Sequence, residues 1–134
     1  MLTCILKSKI HKATVTGAEI NYMGSITIDK NLMKHAGILP YEKVLVVSLD
    51  SGERLETYVI EGEENSGEIC INGAAARKIL KGEKIIILSF IYIESGKALV
   101  HKPKIVYVDE KNKIISEEAV SYTHLRAHET SLHL

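Results

Sequence analysis

The sequence has little of what marks several common protein classes. It contains no tryptophan, one phenylalanine and two prolines in 134 residues. Neither charge is in excess, because 17 Lys and Arg residues balance 17 Asp and Glu residues. A broad cationic field for nucleic acid or anionic lipid is therefore absent unless charge is clustered locally. We expect no nucleic-acid partner.

Cysteines and long apolar segments are scarce as well. Cys4 and Cys70 are too few for a disulfide framework, and the Cys and His residues show no spacing typical of a metal site. We predict that both cysteines are reduced thiols in the core and that the protein holds no metal. No apolar run approaches the roughly 18 residues of a membrane span, so we predict a cytoplasmic protein without membrane contact.

What is present is a compact composition, 46% hydrophobic and 25% charged, with apolar residues alternating in short segments. Asp29 is predicted to cap a helix that ends near His35 before Gly37, and 74–80 to form two helical turns closed by Gly82. Many short strands with two short helices imply a mainly β protein, a small β-barrel. The predicted strands are 2–15, 25–28, 44–49, 54–60, 68–71, 84–93, 104–109 and 113–116.

Residues 121–134 differ in character from the rest. They show no apolar period, and they hold His124, His128 and His133, half of the six histidines. A His-rich end can bind metal, but this string resembles the translation of a transposon-type sequencing adapter read through the end of a DNA fragment. We predict a barrel domain over 1–120, a non-native tail over 121–134, and a native C-terminal sequence that is missing.

The pair Gly24 and Ser25, between Tyr22 and Ile26, is the most informative feature. Gly followed by Ser is ordinary turn chemistry. A Gly-Ser bond on a tight turn is also a place where a chain can cut itself. Gly24 has no Cβ and could take the positive φ that a strained turn requires, whereas the alternative is a simple hairpin glycine.

Four collinear segments give this pair a context: Lys-Ser-Lys-Ile-His at 7–11, Tyr-Met-Gly-Ser at 22–25, Arg-Leu-Glu-Thr-Tyr at 54–58 and Asn-Gly-Ala-Ala-Ala at 72–76. With them, the chain from about Met1 to about Glu118 resembles the pyruvoyl-dependent aspartate 1-decarboxylases. The resemblance implies a double-psi β-barrel that assembles as a tetramer with sites at subunit junctions. It implies conversion of L-aspartate to β-alanine and CO2 for pantothenate biosynthesis, without an external cofactor.

The resemblance assigns self-processing to Gly24, Ser25 and Thr57. Ser25 Oγ would attack the Gly24 carbonyl carbon and turn the amide into an ester, while the Thr57 hydroxyl polarises the Gly24 oxygen. Elimination and hydrolysis would then leave a pyruvoyl group at residue 25 and two chains, 1–24 and 25–134. Whether processing is spontaneous or needs a maturation factor stays open.

The implied chemistry assigns roles to several charged and polar side chains. A Schiff base between the pyruvoyl ketone and the amine of aspartate would accept the electrons that CO2 leaves behind. One of the two carboxylates of aspartate leaves as CO2 and loses its charge in the transition state, so a cation bound to it would stabilise the ground state more. Arg54, assisted by Lys9, is therefore predicted to bind the carboxylate that remains. Tyr58 is predicted to protonate Cα. The alternative for Arg54 and Lys9 is that each is a solvated charge on a strand. The alternative for Tyr58 is a structural position in the barrel, with its ring packed and its hydroxyl hydrogen-bonded.

The small residues after the strand 68–71 form another candidate. Asn72, Gly73, Ala74 and Ala75 offer backbone N–H groups at the start of a short helix, where a substrate carboxylate can bind; a tight turn is the alternative. His11 and Tyr22 are candidates for the pocket, and a structural role is the alternative for His11.

Thr57, also a candidate for substrate binding, and Tyr58 are neighbours in a strand and so point to opposite faces. Both can serve one site only at a strand end, a bulge or a subunit junction.

Two other functions stay open. Residues 24–52 also resemble the swapped-hairpin DNA-binding domains of transition-state regulators, although the neutral charge, the length and the lack of a basic arm count against that class. Within the enzyme class, a related acidic amino acid could be the substrate.

Overall fold

The computed structural model describes residues 1–119, and this part of the chain forms nine strands with short helices, which confirms the predicted mainly β fold. The tail over 121–134 lies outside the described residues. The strands are β1 Leu2–Thr14, β2 Gly17–Glu19, β3 Ser25–Asp29, β4 Lys43–Ser48, β5 Arg54–Gly62, β6 Ile69–Asn72, β7 Lys84–Glu94, β8 Lys104–Val108 and β9 Ile114–Ala119. The helices are α1 Lys30–Ala36, the 3₁₀ helix Gly73–Arg77 and α2 Ser95–Ala98.

The strands form one mixed sheet in the order β2-β6-β3-β5-β4-β7-β1-β8-β9. Its long central pair is β1 with β7, antiparallel from Leu2 opposite Glu94 to Thr14 opposite Lys84. Three parallel pairs, β1 with β8, β2 with β6 and β3 with β5, interrupt the antiparallel pattern. This mixture of parallel and antiparallel strand pairs agrees with the predicted small double-psi barrel.

The core follows from the alternation of side chains along the strands. In β4, Val44 and Val46 are buried while Leu45 and Val47 are half-buried on the other face. Each fully buried aliphatic side chain stabilises the fold by roughly 1.5–3 kcal/mol. The strands β3, β6 and β7 likewise turn alternate isoleucines into the core, and in β6 the residues of the other face are buried as well. These isoleucines are Ile26, Ile28, Ile69, Ile71, Ile85 and Ile87.

Asp29 joins β3 to two neighbouring segments. Its carboxylate is 2% exposed, and Oδ1 accepts hydrogen bonds from the backbone N–H groups of Asn31 at 2.8 Å and Asn65 at 2.9 Å. Oδ2 accepts from Gly67 N–H at 2.8 Å. The predicted N-cap of α1 is thereby confirmed, and Gly37 ends the helix in the left-handed region at φ 69°. These hydrogen bonds hold the end of β3 that lies opposite to Ser25.

The structure corrects the prediction of two helical turns over 74–80. A single 3₁₀ helix covers Gly73–Arg77, and Lys78 N–H donates to Ala75 O. Ile79, fully buried in the core, closes this turn by donating its N–H to Ala75 O at 3.1 Å, and no regular helix continues beyond it. Gly82 lies in the following turn at φ 94°.

The prediction of two core thiols holds for one cysteine only. Cys70 is buried, whereas Cys4 is exposed. Cys4 lies opposite Tyr92 near the exposed end of the β1–β7 pair, where the strands extend past the core. Alternation in the sequence could not show where the core stops along so long a strand. In the described part of the chain, no helix is long and apolar enough to span a membrane.

Asp29→Asn is expected to lower the free energy of unfolding by about 2–4 kcal/mol, because an amide turns an NH₂ group toward backbone donors that need an acceptor. Denaturant unfolding measures this. Asp109→Asn is the control: Asp109 is exposed and accepts both of its backbone hydrogen bonds, from Lys111 and Lys113, on one oxygen. It should lose less than about 1 kcal/mol. Equal losses would show that burial of Asp29 adds nothing.

Candidate active site

Ser25 begins β3 and is almost wholly buried, with 1% of its surface exposed. It lies directly opposite Asn72, the last residue of β6. Asn72 Nδ2 donates to Ser25 Oγ at 2.9 Å, and Ser25 Oγ donates to the carbonyl oxygen of Met23 at 3.3 Å. Both the lone pairs and the proton of this hydroxyl therefore have defined directions.

Four side chains share one face of the β3–β6 pair. Thr27 lies opposite Cys70, two residues along from Ser25 and Asn72, while the isoleucines between them occupy the core face. Asn72, 3% exposed, also donates from Nδ2 to Thr27 Oγ1 at 3.0 Å, and Cys70 Sγ donates to Asn72 Oδ1 at 3.3 Å. These three hydrogen bonds fix the Asn72 amide with its NH₂ group toward Ser25.

The Cys70 thiol can serve as that donor because it stays protonated. Burial raises its pKa, and the negative charges of Glu68 and Glu19 raise it further. A thiolate could only accept, and would repel the amide oxygen of Asn72.

The glycine that carries the strained conformation is Gly73. Its φ is 75°, whereas Gly24 is not among the glycines with positive φ, so the prediction of a positive φ at Gly24 is wrong. A Cβ added at Gly73 would lie 2.7 Å from Gly24 Cα, while one added at Gly24 would meet no atom within 4 Å. The hydrogen-bonded turn before Ser25 is closed by Tyr22 N–H donating to Glu19 O at 3.3 Å, and the bend at Gly24 that follows it packs against Gly73.

Thr57 and Tyr58 lie on the strand next to Ser25. In the parallel β3–β5 pair, Ile26 is opposite Val59. Extending this register back places Ser25 level with Tyr58, and Gly24 level with Thr57. The two side chains do point to opposite faces, since Val44, opposite Thr57, is buried. Ser25 lies at a strand end, the start of β3, which is one of the three arrangements that the sequence left open for these two residues.

Arg54 also lies on β5 but farther away. It is exposed at the first position of the strand, four residues from Tyr58, which is about 13 Å along an extended chain. It faces Val47 of β4, which faces Ile86 of β7, which faces His11 of β1. Arg54 and His11 therefore stand in one row across the outer face of the sheet.

Lys9 and His11 are not beside Ser25 within one chain. The strands β5, β4 and β7 lie between β3 and β1 in the sheet. His11 packs edge-on against Tyr107, with ring centroids 5.7 Å apart. Burial, followed by the charges of Lys9 and Lys12, lowers the pKa of His11, which favours the neutral imidazole.

Of the remaining candidates, Tyr22 is 59% exposed in the turn before Gly24. Ala74 and Ala75 follow Gly73 in the 3₁₀ helix, next to the turn rather than on a strand. Sequence reasoning missed Thr27 and Cys70. Their alternation with Ser25 and Asn72 was visible, but the pairing of β3 with β6 that brings them together was not.

Within residues 1–119, no group of three or more His, Cys, Asp or Glu side chains could hold a metal ion.

Comparison with known proteins assigns the chain to a class. The sequence model for aspartate decarboxylase matches residues 1–115. The chain belongs to the aspartate decarboxylase family.

Among curated relatives, an aspartate 1-decarboxylase of Dehalococcoides mccartyi is 61% identical over 110 residues, covering 82% of this chain and 89% of the relative. Another aspartate 1-decarboxylase, from Caldicellulosiruptor saccharolyticus, is 57% identical over 115 residues, or 86% of this chain and 90% of the relative. A solved structure, the rationally designed mkDPBB_sym1 protein, aligns at a TM-score of 0.42 and 13% identity over 66% of this chain and 100% of its own.

Cys70→Ala is expected to lower the free energy of unfolding by about 1–3 kcal/mol, because it leaves the buried Asn72 Oδ1 without a donor. Cys70→Ser keeps a donor and should lose less. Denaturant unfolding measures both, and Cys4→Ala, at an exposed cysteine, should change little. If the Ala and Ser variants were equally stable, the thiol would not be holding the Asn72 amide.

Proposed function

We propose that this protein converts L-aspartate to β-alanine and CO2, as a step toward pantothenate, through a pyruvoyl group made from its own Ser25. Membership of the aspartate decarboxylase family supports the reaction. The observation that carries the self-processing step is the buried Ser25 hydroxyl, which is bound by Asn72 and directly follows a glycine in a bend of the chain.

The residues present fit the formation of such a group. Ser25 Oγ would attack the carbonyl carbon of Gly24, and its proton would pass to the Ser25 nitrogen as the amide becomes an ester. Thr57, which the extended β3–β5 register puts level with Gly24, would donate to the carbonyl oxygen as it gains charge. One such donor contributes about 2.7–4 kcal/mol to the transition state.

Elimination across Cα and Cβ of residue 25 would then release the Gly24 carboxylate and leave dehydroalanine. Water would replace its nitrogen as ammonia, giving the ketone. The products would be chains 1–24 and 25–134, and no outside oxidant or reductant is needed. The pyruvoyl group supplies a ketone that condenses with an amine and draws electrons from Cα.

The chain's own residues would then bind aspartate and move a proton. Tyr58 is level with Ser25 and on its face of the sheet, which suits a proton donor to Cα. Arg54, with Lys9, would hold the carboxylate that remains, through the paired geometry of a guanidinium. Gly73, Ala74 and Ala75 would contact the substrate beside Asn72, with Thr57 also in contact.

A homo-oligomer is part of this proposal, because three strands lie between β1, which carries Lys9 and His11, and β3, which carries Ser25, in the same chain. The outer face between them and Arg54 carries half-buried apolar residues that a second copy would cover: Leu45, Val47, Ile86 and Leu88. A tetramer with sites at the subunit junctions would bring His11 and Lys9 of one copy toward Ser25 of another. Tyr22, exposed beside Gly24, would face the same junction.

The family match over residues 1–115 favours the enzyme over the swapped-hairpin DNA-binding class. A related acidic amino acid as substrate, the cytoplasmic location and a maturation factor stay predictions. We retain the barrel domain over 1–120 and the non-native tail over 121–134 as proposals.

Ser25→Ala should give one uncut chain without decarboxylase activity, since alanine has no oxygen to attack Gly24. The wild type should give a fragment ending at Gly24 and a larger one that lacks an N-terminal amine and reacts with hydroxylamine. Intact-mass measurement distinguishes them. Ser116→Ala, which removes an exposed hydroxyl on β9, is the matched control and should still be cut.

A wild type that stays uncut is incubated with a host lysate, which separates a missing maturation factor from a wrong mechanism. If neither the lysate nor heat produces two chains and no aspartate is consumed, the proposed function fails.

Arg54→Ala should still cut itself but raise KM for aspartate by about 10–100-fold, the loss expected for a charged hydrogen-bond pair. Arg54→Lys should restore only part of the binding, because an ammonium cannot form the two-pronged contact. Lys111→Ala removes an exposed cation from the β8–β9 turn and serves as the charge control. An unchanged KM in Arg54→Ala would remove Arg54 from the site.

A further inference from the structure

We infer that Gly73 is a positioning residue for self-cleavage. Because Gly73 has no side chain, the segment 22–24 can pack against it and hold the Gly24 carbonyl beside the hydroxyl of Ser25. This inference rests on the proposed cut between Gly24 and Ser25. It goes beyond that proposal because it gives Gly73 a role before any substrate is bound.

The contacts at Gly73 are tighter than any side chain could accept. A Cβ there would lie 2.7 Å from Gly24 Cα, 2.8 Å from Gly24 N and 3.1 Å from the carbonyl oxygen of Tyr22. Non-bonded carbon atoms favour separations of about 3.5–4.0 Å. All three neighbours are backbone atoms, so no side-chain rotation could relieve the overlap. An alanine at 73 would have to displace the turn itself.

The displaced atoms are those that the cut depends on. Asn72 holds the nucleophile, Ser25 Oγ, and the next residue in the chain, Gly73, is in contact with the residue whose carbonyl is attacked. Met23, in the middle of the turn, accepts the proton of Ser25 Oγ. Reacting atoms must stand about 3–3.5 Å apart and aligned, and a misplacement of about 1 Å can cost about 100-fold in rate.

The requirement for glycine therefore lies at 73 rather than at 24. A Cβ on Gly24 would meet nothing within 4 Å, and Gly24 has no positive φ. Gly73 combines two constraints, a φ of 75° and the contact with the turn. Gly37 has only the first, because its φ is 69° and an added Cβ would meet nothing within 4 Å. It is a matched control for backbone strain without the contact.

The experiment compares Gly73→Ala and Gly73→Asn with Gly37→Ala and Gly37→Asn. The cut is followed by intact mass from the moment of refolding and expressed per folded molecule, with the folded fraction taken from circular dichroism. Asn tolerates a positive φ better than Ala. If the contact of the added Cβ determines the rate of self-cleavage, both Gly73 variants should cut at least tenfold more slowly than wild type. Both Gly37 variants should cut at the wild-type rate.

A second measurement removes the cut from the comparison. In the Ser25→Ala background, where no cleavage occurs, thermal unfolding should show a lower midpoint for Gly73→Asn than for Gly37→Asn. The reason is that only the former must push the backbone at 22–24 aside.

Three results would count against the inference. Wild-type cutting per folded molecule in either Gly73 variant overturns it, and so does equal slowing in the Gly37 variants, since backbone strain alone would then explain the loss. A wild type that never cuts, even with lysate, overturns the proposed function and the inference together. The first two leave the proposed function intact.

Discussion

The pairing of β3 with β6 is the constraint on which the candidate site depends. With Ser25 opposite Asn72 and Thr27 opposite Cys70, one face of two short strands becomes a hydrogen-bonded polar cluster and the other face fills the core with isoleucine. If β3 slipped by one residue, Ser25 would point into the core and the isoleucines would point to the opposite face, because side chains alternate with a period of two. The cost of exposing those isoleucines holds the register, so hydrophobic burial on one face sets the geometry of chemistry on the other.

Two further contacts fix the ends of this pair. At the far end of β3, Asp29 binds three backbone N–H groups and ties the strand to α1 and to the loop before β6. At the near end, the segment 22–24 packs so closely against Gly73 that a Cβ at residue 73 would lie 2.7 Å from Gly24 Cα, which only glycine avoids. The hydroxyl of Ser25 is thus held between a rigid strand and a crowded turn. Such preorganisation would favour the proposed attack of Ser25 on the Gly24 carbonyl, because reacting groups must be held in position.

Much of the fold was visible in the sequence. The helix cap at Asp29, its end at Gly37 and the hairpin of 44–49 with 54–60 depend on neighbours in the chain, and the structure has them where they were predicted. The errors arose where distant segments decide. Cys4 is exposed because β1 extends past the core, and 74–80 forms a short 3₁₀ helix that ends at Arg77, close to the buried Ile79, instead of two helical turns. The positive φ belongs to Gly73 rather than Gly24, and the contact that leaves Gly73 no room for a side chain is with Gly24, nearly fifty residues earlier in the chain.

The sequence by itself determined the family, through collinear motifs, and with it the expected chemistry of Gly24 and Ser25. It determined which residue types were available, because serine, asparagine, arginine and tyrosine each carry a recognisable reactivity. The tertiary structure decided which of them meet: Asn72 and Cys70 come to Ser25 through strand pairing, while three strands lie between β3 and β1, which carries Lys9 and His11. The sequence shows directly which reactive residues are adjacent in the chain. The distance between two strands is set only when the sheet forms, because burial over the whole chain determines the register and order of the strands.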